Sequence, residues 1–345
     1  MIRPFGLRDA LLVRDLQRNS AVLAIEQALL HPNAPLWMAL TAPWPWAGLG
    51  VATYILDERD GDGPALGFAQ LLRRASRPEA DVLYVAPALP PKDAHDARRE
   101  GIWRRLLHHS CQAAAGRGLQ RIFASSPEDG PETGCLKDVG FSLYTREVLY
   151  RLAAGPAADG PRPEGASRPA GFRSQLSQDN WALQRLYTNS TPRLVQSAEG
   201  AVTGEVGSPP LCWWEPDRWR GLVWERTNEP RGAVQVHIGR AGHWLRIWGV
   251  NALTAHDLRV LVEQGLGLIA DAPRLWGRGP APVYATVRDY EIGLGDALTG
   301  FGFAPYLKRA RLVKHTVAVV REPLPAALAA REIAVEAAAH IRETV

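Results

Sequence analysis

The sequence predicts an α/β protein in which one mixed α+β sheet unit occurs twice in tandem. Hydrophobic periodicity changes in the same order in both halves, from antiparallel strands to a helix, a strand, a short helix and a final strand. The spacing between the halves holds nearly constant: Gly67 and Gly232 lie 165 positions apart, and Gly140 and Gly302 lie 162 apart. Between the halves, Ala153 to Ala170 offers little beyond Ala, Gly, Pro and a few charges and reads as a linker.

The first half opens its meander with Gly50 to Leu56, turns at Asp57 to Pro64, continues through Ala65 to Leu72, and closes with Ala80 to Ala86. Ile102, Leu106, Leu107, Cys111 and Ala114 then recur at helical steps up to the stop Gly116-Arg117-Gly118. A strand at Arg121 to Ser125, a short helix through Leu136 to Val139, the break Gly140-Phe141 and a strand from Leu143 to Leu152 complete it. In the second half the counterparts are Trp219 to Trp224, Gly232 to His237, His243 to Trp248, a helix over Ala255 to Ala270, Val283 to Val287, and Leu298 to Phe303 followed by a strand. Past Glu322-Pro323, Ala326 to Arg342 has the composition of a terminal helix that packs on a domain or a partner.

Composition narrows the function classes. The 345 residues are 46% hydrophobic and 22% charged, enough for two cores. A net charge of +4 from 40 basic and 36 acidic residues gives no concentrated field for nucleic acid. Cys111, Cys135 and Cys212 are odd in number and in no metal-ligand spacing, so neither a disulfide framework nor a metal site is expected. No apolar stretch is long enough to span a bilayer and none reads as a leader, so the expectation is a cytoplasmic protein that does not engage membranes.

One segment suits anion binding. Arg98-Arg99-Glu100-Gly101-Ile102-Trp103 opens the long helix just after Tyr84-Val85-Ala86-Pro87. A helix N-terminus presents unpaired N–H donors and the positive end of the dipole, glycine permits close approach, and arginine adds charge. With Gly140-Phe141 closing the last helix, the order resembles the GNAT superfamily of acyl-CoA-dependent N-acetyltransferases. The resemblance implies two tandem GNAT-like domains, at 1–152 and 171–322, joined by a linker at 153–170 and followed by a C-terminal helix at 323–345. It also implies that acetyl-CoA is the co-substrate, with its pyrophosphate held by Arg98, Arg99, Glu100, Gly101, Ile102 and Trp103. Its thioester carbonyl would lie against a free strand N–H near Val85 and Ala86. Trp103 stands where the family has a small residue, and Leu136 and Leu298 stand where it often has a tyrosine acid.

The second half has no glycine in Asn251 to Asp257, where Thr254 and Asp257 read as a helix cap. Candidate bases in the first half are Asp81, Glu128 and Asp129, candidate acids Tyr84 and Tyr144, and no catalytic residue is assigned. The acceptor would be a small-molecule or peptide amine. Two alternatives stay open: a non-catalytic CoA-binding or interaction module, and a homodimer formed through the tryptophan-rich second half and the terminal helix. His108-His109 falls on two sides of a helix, and Tyr187 to Arg193 reads as a capped turn or a ligand loop.

Overall fold

The computed structural model describes residues 1–42, 50–58, 64–74, 77–91, 93–94, 96–153, 169–200, 219–227, 229–271 and 281–316. Most of the predicted linker and all of the expected terminal helix lie outside these residues. The first unit runs β1 (Ile2–Pro4), α1 (Ala10–Leu16), β2 (Ala21–Val22), α2 (Ile25–Leu30), α3 (Pro35–Thr41), β3 (Val51–Glu58), β4 (Ala65–Arg73), β5 (Glu79–Ala86), α4 (Ala97–Gly116), β6 (Arg121–Pro127), α5 (Pro131–Asp138) and β7 (Ser142–Leu152). The second runs β8 (Phe172–Ser174), α6 (Asn180–Ser190), α7 (Arg193–Glu199), β9 (Trp219–Arg226), β10 (Glu229–Ile238), β11 (His243–Trp248), α8 (Ala255–Ala270), β12 (Val283–Arg288), α9 (Leu294–Thr299) and β13 (Ala304–His315).

The strands form one continuous sheet in the order β1-β3-β4-β5-β6-β13-β7-β12-β11-β10-β9-β8, with β2 pairing β5 off this path. The centre of that order is an exchange. Strand β13, the last of the second unit, lies between β6 and β7 of the first, and β7 lies between β13 and β12 of the second. All three pairings are antiparallel, so a pseudo-twofold axis passes between β7 and β13.

Alternation along the central strands assigns the faces. Ala310 and Leu312 pack with α4 and α5 through Leu106, Leu107 and Leu136, and Tyr150 and Leu152 pack with α8 and α9 through Leu261 and Leu298. The opposite face carries α1 to α3, α6 and α7. Here the units embrace: Leu30 of α2 packs on Trp244 and Tyr284 of the second unit, and Val195 and Ala198 of α7 pack on Phe123 and Tyr144 of the first.

The four glycines that keep register between the halves each have a physical task. A Cβ on Gly67 would come within 2.6 Å of the Ala86 carbonyl and 2.8 Å of Ile102, and one on Gly232 within 3.1 Å of Leu261. Both let the long helix of their unit lie close on the sheet. Gly140 and Gly302 end α5 and α9 at φ +92° and +84°, the left-handed region that glycine adopts without strain.

A further repeated device is polar. Arg3 donates to both oxygens of Asp9 at 2.5 and 2.6 Å, and Arg173 to both oxygens of Asp179 at 2.7 and 2.8 Å. The same carboxylates accept from the backbone of Gly6 and Leu176. The guanidinium bond holds both aspartates below the usual carboxylate value of 3.8. A depressed native value means stability that is present above the unfolded pKa and lost as pH falls through the native one. Each clamp contributes about 1–2 kcal/mol, the low end for charged hydrogen bonds because both arginines are partly in water. Urea unfolding below about pH 4 is therefore expected to steepen with acid in the unaltered chain and less so in Asp9→Asn with Asp179→Asn, which also starts less stable at pH 7.

Candidate functional site

Parallel strands part company at two places. The β5–β6 ladder holds only Glu79–Arg121, Ala80–Ile122 and Asp81–Phe123, and the β11–β12 ladder only His243–Val283, Trp244–Tyr284 and Leu245–Ala285. Beyond each ladder the strands fork, and their inner edges turn N–H and C=O groups toward the gap.

The chain itself fills the first fork. Ala21 pairs Val85 and Val22 pairs Tyr84, so β2 lies along the edge of β5. Leu23 N donates to Leu83 O at 2.9 Å and Leu23 O accepts from Ser125 N at 2.8 Å, bridging both prongs. Arg309, carried in by the exchanged β13, closes the arrangement: its Nε donates to Ser125 Oγ at 2.8 Å, and its Nη2 to Val22 O at 3.0 Å and to Ser125 O. Burial pulls the pKa of Arg309 down to about 10.

The helix entrance is equally occupied. Val85 and Ala86 are buried, and the β5 edge expected to be free at Val85 carries Ala21. Trp103 is fully buried and its Nε1 donates to Pro87 O at 2.7 Å, so the indole ties α4 to the preceding loop. Asp96 caps α4 by accepting from Arg99 N at 3.0 Å. Arg99 is spent on Ala88 O and Asp96, Glu100 pairs Arg104, Arg98 points to solvent, Ile102 is buried in the core, and Gly101 has open space where a Cβ would stand. A cleft of about 230 Å³ between this loop and α5 is lined by Asp96, Glu100, Asp138 and Arg104 among others. Among the described residues this lining sets three carboxylates against one arginine, a balance that opposes a pyrophosphate within this cleft.

The second fork is built differently. Among the described residues, no segment pairs with β11 or β12 across the gap beyond Leu245 and Ala285. Arg246 opens one prong and Arg288 ends the other. The chain after β12 brings Tyr290 and Glu291 to the same place, where Glu291 accepts from Arg288 N at 2.8 Å. Burial pushes the Glu291 carboxyl up to about 7, against the pull of Arg288 and Arg246. Helix α8 begins with the capping box expected from sequence, Thr254 Oγ1 accepting from Asp257 N and the Asp257 carboxylate from Thr254 N.

Between the units lies a buried network on the face opposite α4 and α8. Glu199 pairs with Arg288 at 2.6 Å and accepts from Tyr187 at 2.8 Å and Tyr144 at 3.3 Å, and Arg311 donates to Tyr144 at 3.2 Å. The two arginines hold Glu199 at about 2 despite its burial, while burial takes Tyr144 up to about 12. Tyr144 and Tyr187 are thereby held as hydrogen-bond donors, with Tyr187 on α6 rather than in a loop. Asp81 is bound by Arg74 at 2.7 and 2.8 Å and Glu128 by Arg146 at 2.8 Å. Trp244 and Trp248 are core residues, while Trp213 and Trp214 lie outside the described residues. Sequence reasoning missed Glu147, Glu199, Arg246, Arg288, Glu291, Arg309 and Arg311. Alternation with apolar neighbours, as in Arg309-Ala310-Arg311-Leu312, reads as a solvent face until the exchange covers it.

No protein-family model matches the chain, and no curated protein matches it. Solved structures do. A GCN5-related N-acetyltransferase from Sphaerobacter thermophilus is similar over 92% of this chain and 96% of its own, at 15% identity and a TM-score of 0.50. The chain has the GNAT fold, twice over. A tandem GNAT protein from the clavulanic acid biosynthesis pathway covers 92% of this chain and 99% of its own at 15% identity and a TM-score of 0.45. A putative acetyltransferase from Pyrococcus horikoshii covers 94% and 91% at 12% and 0.45. Among the described residues no helix is long and apolar enough to cross a membrane, and no group of three or more His, Cys, Asp or Glu is placed to hold a metal.

Within the GNAT fold of the first unit, Trp103 is a core residue at the helix entrance. Trp103→Ala is expected to cost about 3–5 kcal/mol in urea unfolding and to leave the number of acetyl-CoA sites and their affinity, read by calorimetry, as in the unaltered chain.

Proposed function

We propose that the chain is an acyl-CoA-dependent N-acyltransferase whose donor groove is the second fork, between β11 and β12, with Glu291 as general base. The observation that carries this reading is the fork bracketed by Arg246 and Arg288, into which no segment pairs among the described residues, with a carboxyl poised near neutrality beside it. A base with a pKa near the working pH is deprotonated enough to accept a proton and basic enough to take it from an amine. In the reaction, the amine nitrogen bonds to the thioester carbonyl, the carbon–sulfur bond breaks, the thiolate departs with coenzyme A, and the amine proton passes to Glu291. An N–H on the forked edge of β11 is available to polarise the carbonyl. The acceptor is a small-molecule or peptide amine, and the expected compartment is the cytoplasm.

A second reading, a GNAT-fold binding module without transfer, is favoured by one specific feature. The N-termini of both α4 and α8 already carry a carboxylate of their own chain, Asp96 and Asp257.

Calorimetric titration with acetyl-CoA separates the two. One site per chain, kept in Gly101→Glu and lost when Thr286→Trp crowds the second fork, is the expected outcome; no binding ends the transferase reading. With a panel of amines and thiol detection, kcat/KM is expected to rise with pH to a plateau above about 7, because the base must be deprotonated. Glu291→Gln should lower kcat by about 10²–10⁴-fold and abolish that pH limb.

A further inference from the structure

Glu199 is held by four elements at once. It ends α7, its carbonyl accepts from Arg77 of the first unit at 3.0 Å, and its carboxylate accepts from Tyr187 on α6 and Tyr144 on β7. The fourth element is β12: Arg288 Nη2 donates to Glu199 Oε1 at 2.6 Å and Nη1 to Oε2 at 3.2 Å, a two-point grip on the guanidinium. Tyr290 adds a further bond, accepting from Nη1 at 2.7 Å. Both side chains of the pair are only 13% exposed, so each charge is matched by the other more than by water.

Glu291 is seated on the same residue through the backbone. Its carboxyl accepts from Arg288 N at 2.8 Å, and its own N–H donates to Arg288 O at 2.9 Å. Arg288 thus carries both the cation that Glu199 grips and the backbone that seats the proposed base. The charged and titratable groups around Glu291 are Arg288 and Tyr290 on its own segment, Arg246 on β11 and Glu147 on β7. Around Glu147 and Arg246 stand in turn Glu26 of α2 and Arg309 and Arg311 of β13. Among these groups Arg288 exerts the largest pull on the Glu291 carboxyl. The other arginines are engaged elsewhere: Arg246 lies 5.5 Å from the centre of the Trp248 ring, Arg309 bonds Ser125 and Val22, and Arg311 bonds Tyr144 and faces Glu147 at 3.5 Å. A buried guanidinium released from its acid acts on the next carboxylate, and an opposite charge within about 4–6 Å lowers a carboxyl by about 1–3 pH units.

We propose that Glu199 is a positioning residue for the transfer: it holds the Arg288 guanidinium against α7, so that the cation does not close on Glu291 and the Glu291 carboxylate stays basic enough to take the amine proton. The proposal rests on the transferase reading for the use of that proton, but the protonation of Glu291 is measurable without donor or acceptor.

The test is a pH titration of the full chain followed by carbon NMR of labelled glutamate carboxyls, with no donor or acceptor added. One carboxyl is expected to titrate at about 7 and to vanish in Glu291→Gln. Glu199→Gln, which keeps the shape and removes the charge, should lower that titration by at least about one pH unit. Tyr187→Phe loosens the same network without removing a charge and should leave it within about 0.3 unit. In an Arg288→Met background the effect of Glu199→Gln should disappear, because no guanidinium remains to be held. With acetyl-CoA and the amine panel, the low-pH limb of kcat/KM should move down with the titration in Glu199→Gln, whereas a loss of stability alone would leave the limb in place. An unshifted titration in a folded Glu199→Gln overturns the proposal, as does an equal shift in Tyr187→Phe or the absence of any carboxyl titrating near neutrality in the unaltered chain. A shift that persists without Arg288 also overturns it, by making the action of Glu199 direct. Thermal unfolding checks each variant. If Glu199→Gln does not fold alone, the double variant carries the test, since it removes both charges of the buried pair: a titration at or above that of the unaltered chain supports the proposal and a lower one overturns it. The expected shifts in a chain that takes no acetyl-CoA would retain the hold on Glu291 and end the transferase reading alone.

Discussion

A parallel pair of strands that forks leaves two rows of backbone donors and acceptors unpaired in the middle of a sheet, and buried backbone groups do not tolerate that for long. The exchange of β7 and β13 decides how each fork of this molecule answers the constraint. By crossing into the first unit, β13 delivers Arg309 to the back of the first fork, and Arg309 holds the Ala21–Leu23 segment in place through the carbonyls of Val22 and Ser125. The pseudo-symmetric strand β7 delivers Arg146 and Glu147 to the second unit, and among the described residues neither closes a segment into the second fork. Two copies of one fold thus end with opposite arrangements at equivalent places.

Much of the fold could be read in advance because its repeats sit on residues with a physical obligation. Gly67 and Gly232 must lack a Cβ for a helix to lie on the sheet, and Gly140 and Gly302 must adopt positive φ, so all four survive as markers when the rest has diverged. Strand order is another matter. A period of two reports that a segment is a strand and says nothing about which strand lies beside it, so the continuous sheet and its exchanged centre left no trace in the pattern. The plug in the first fork is a strand of two residues, Ala21 and Val22, too short to show a period at all.

The residues that the sequence offered for the site are neighbours in the chain, and those of the proposed site are not. Arg98 to Trp103 has the composition of an anion loop, and in the folded chain Arg99 is bonded to Ala88 and Asp96 and Glu100 to Arg104, while Arg98 is exposed. The groups with perturbed titration lie instead on β12, on α7 and just after β12, separated by up to a hundred positions. Glu199 and Arg288 are an example: each alone would be costly to bury, and together with two tyrosines they form a satisfied network in which removing one partner exposes the other to the full desolvation penalty. Nothing local in either segment announces the other.

The central exchange also governs how the chain is made. While the second unit is still being synthesised, β6 and β7 have emerged but the strand that belongs between them has not. At about 5–20 residues per second, the interval from β7 to β13 lasts about 10–30 s. During it the nascent first unit must either carry two exposed strand edges or pair β6 with β7 and later part them. A ribosome that stalls before His315 therefore releases a first unit with unguarded edges, the form of a sheet protein most exposed to aggregation and to chaperone capture.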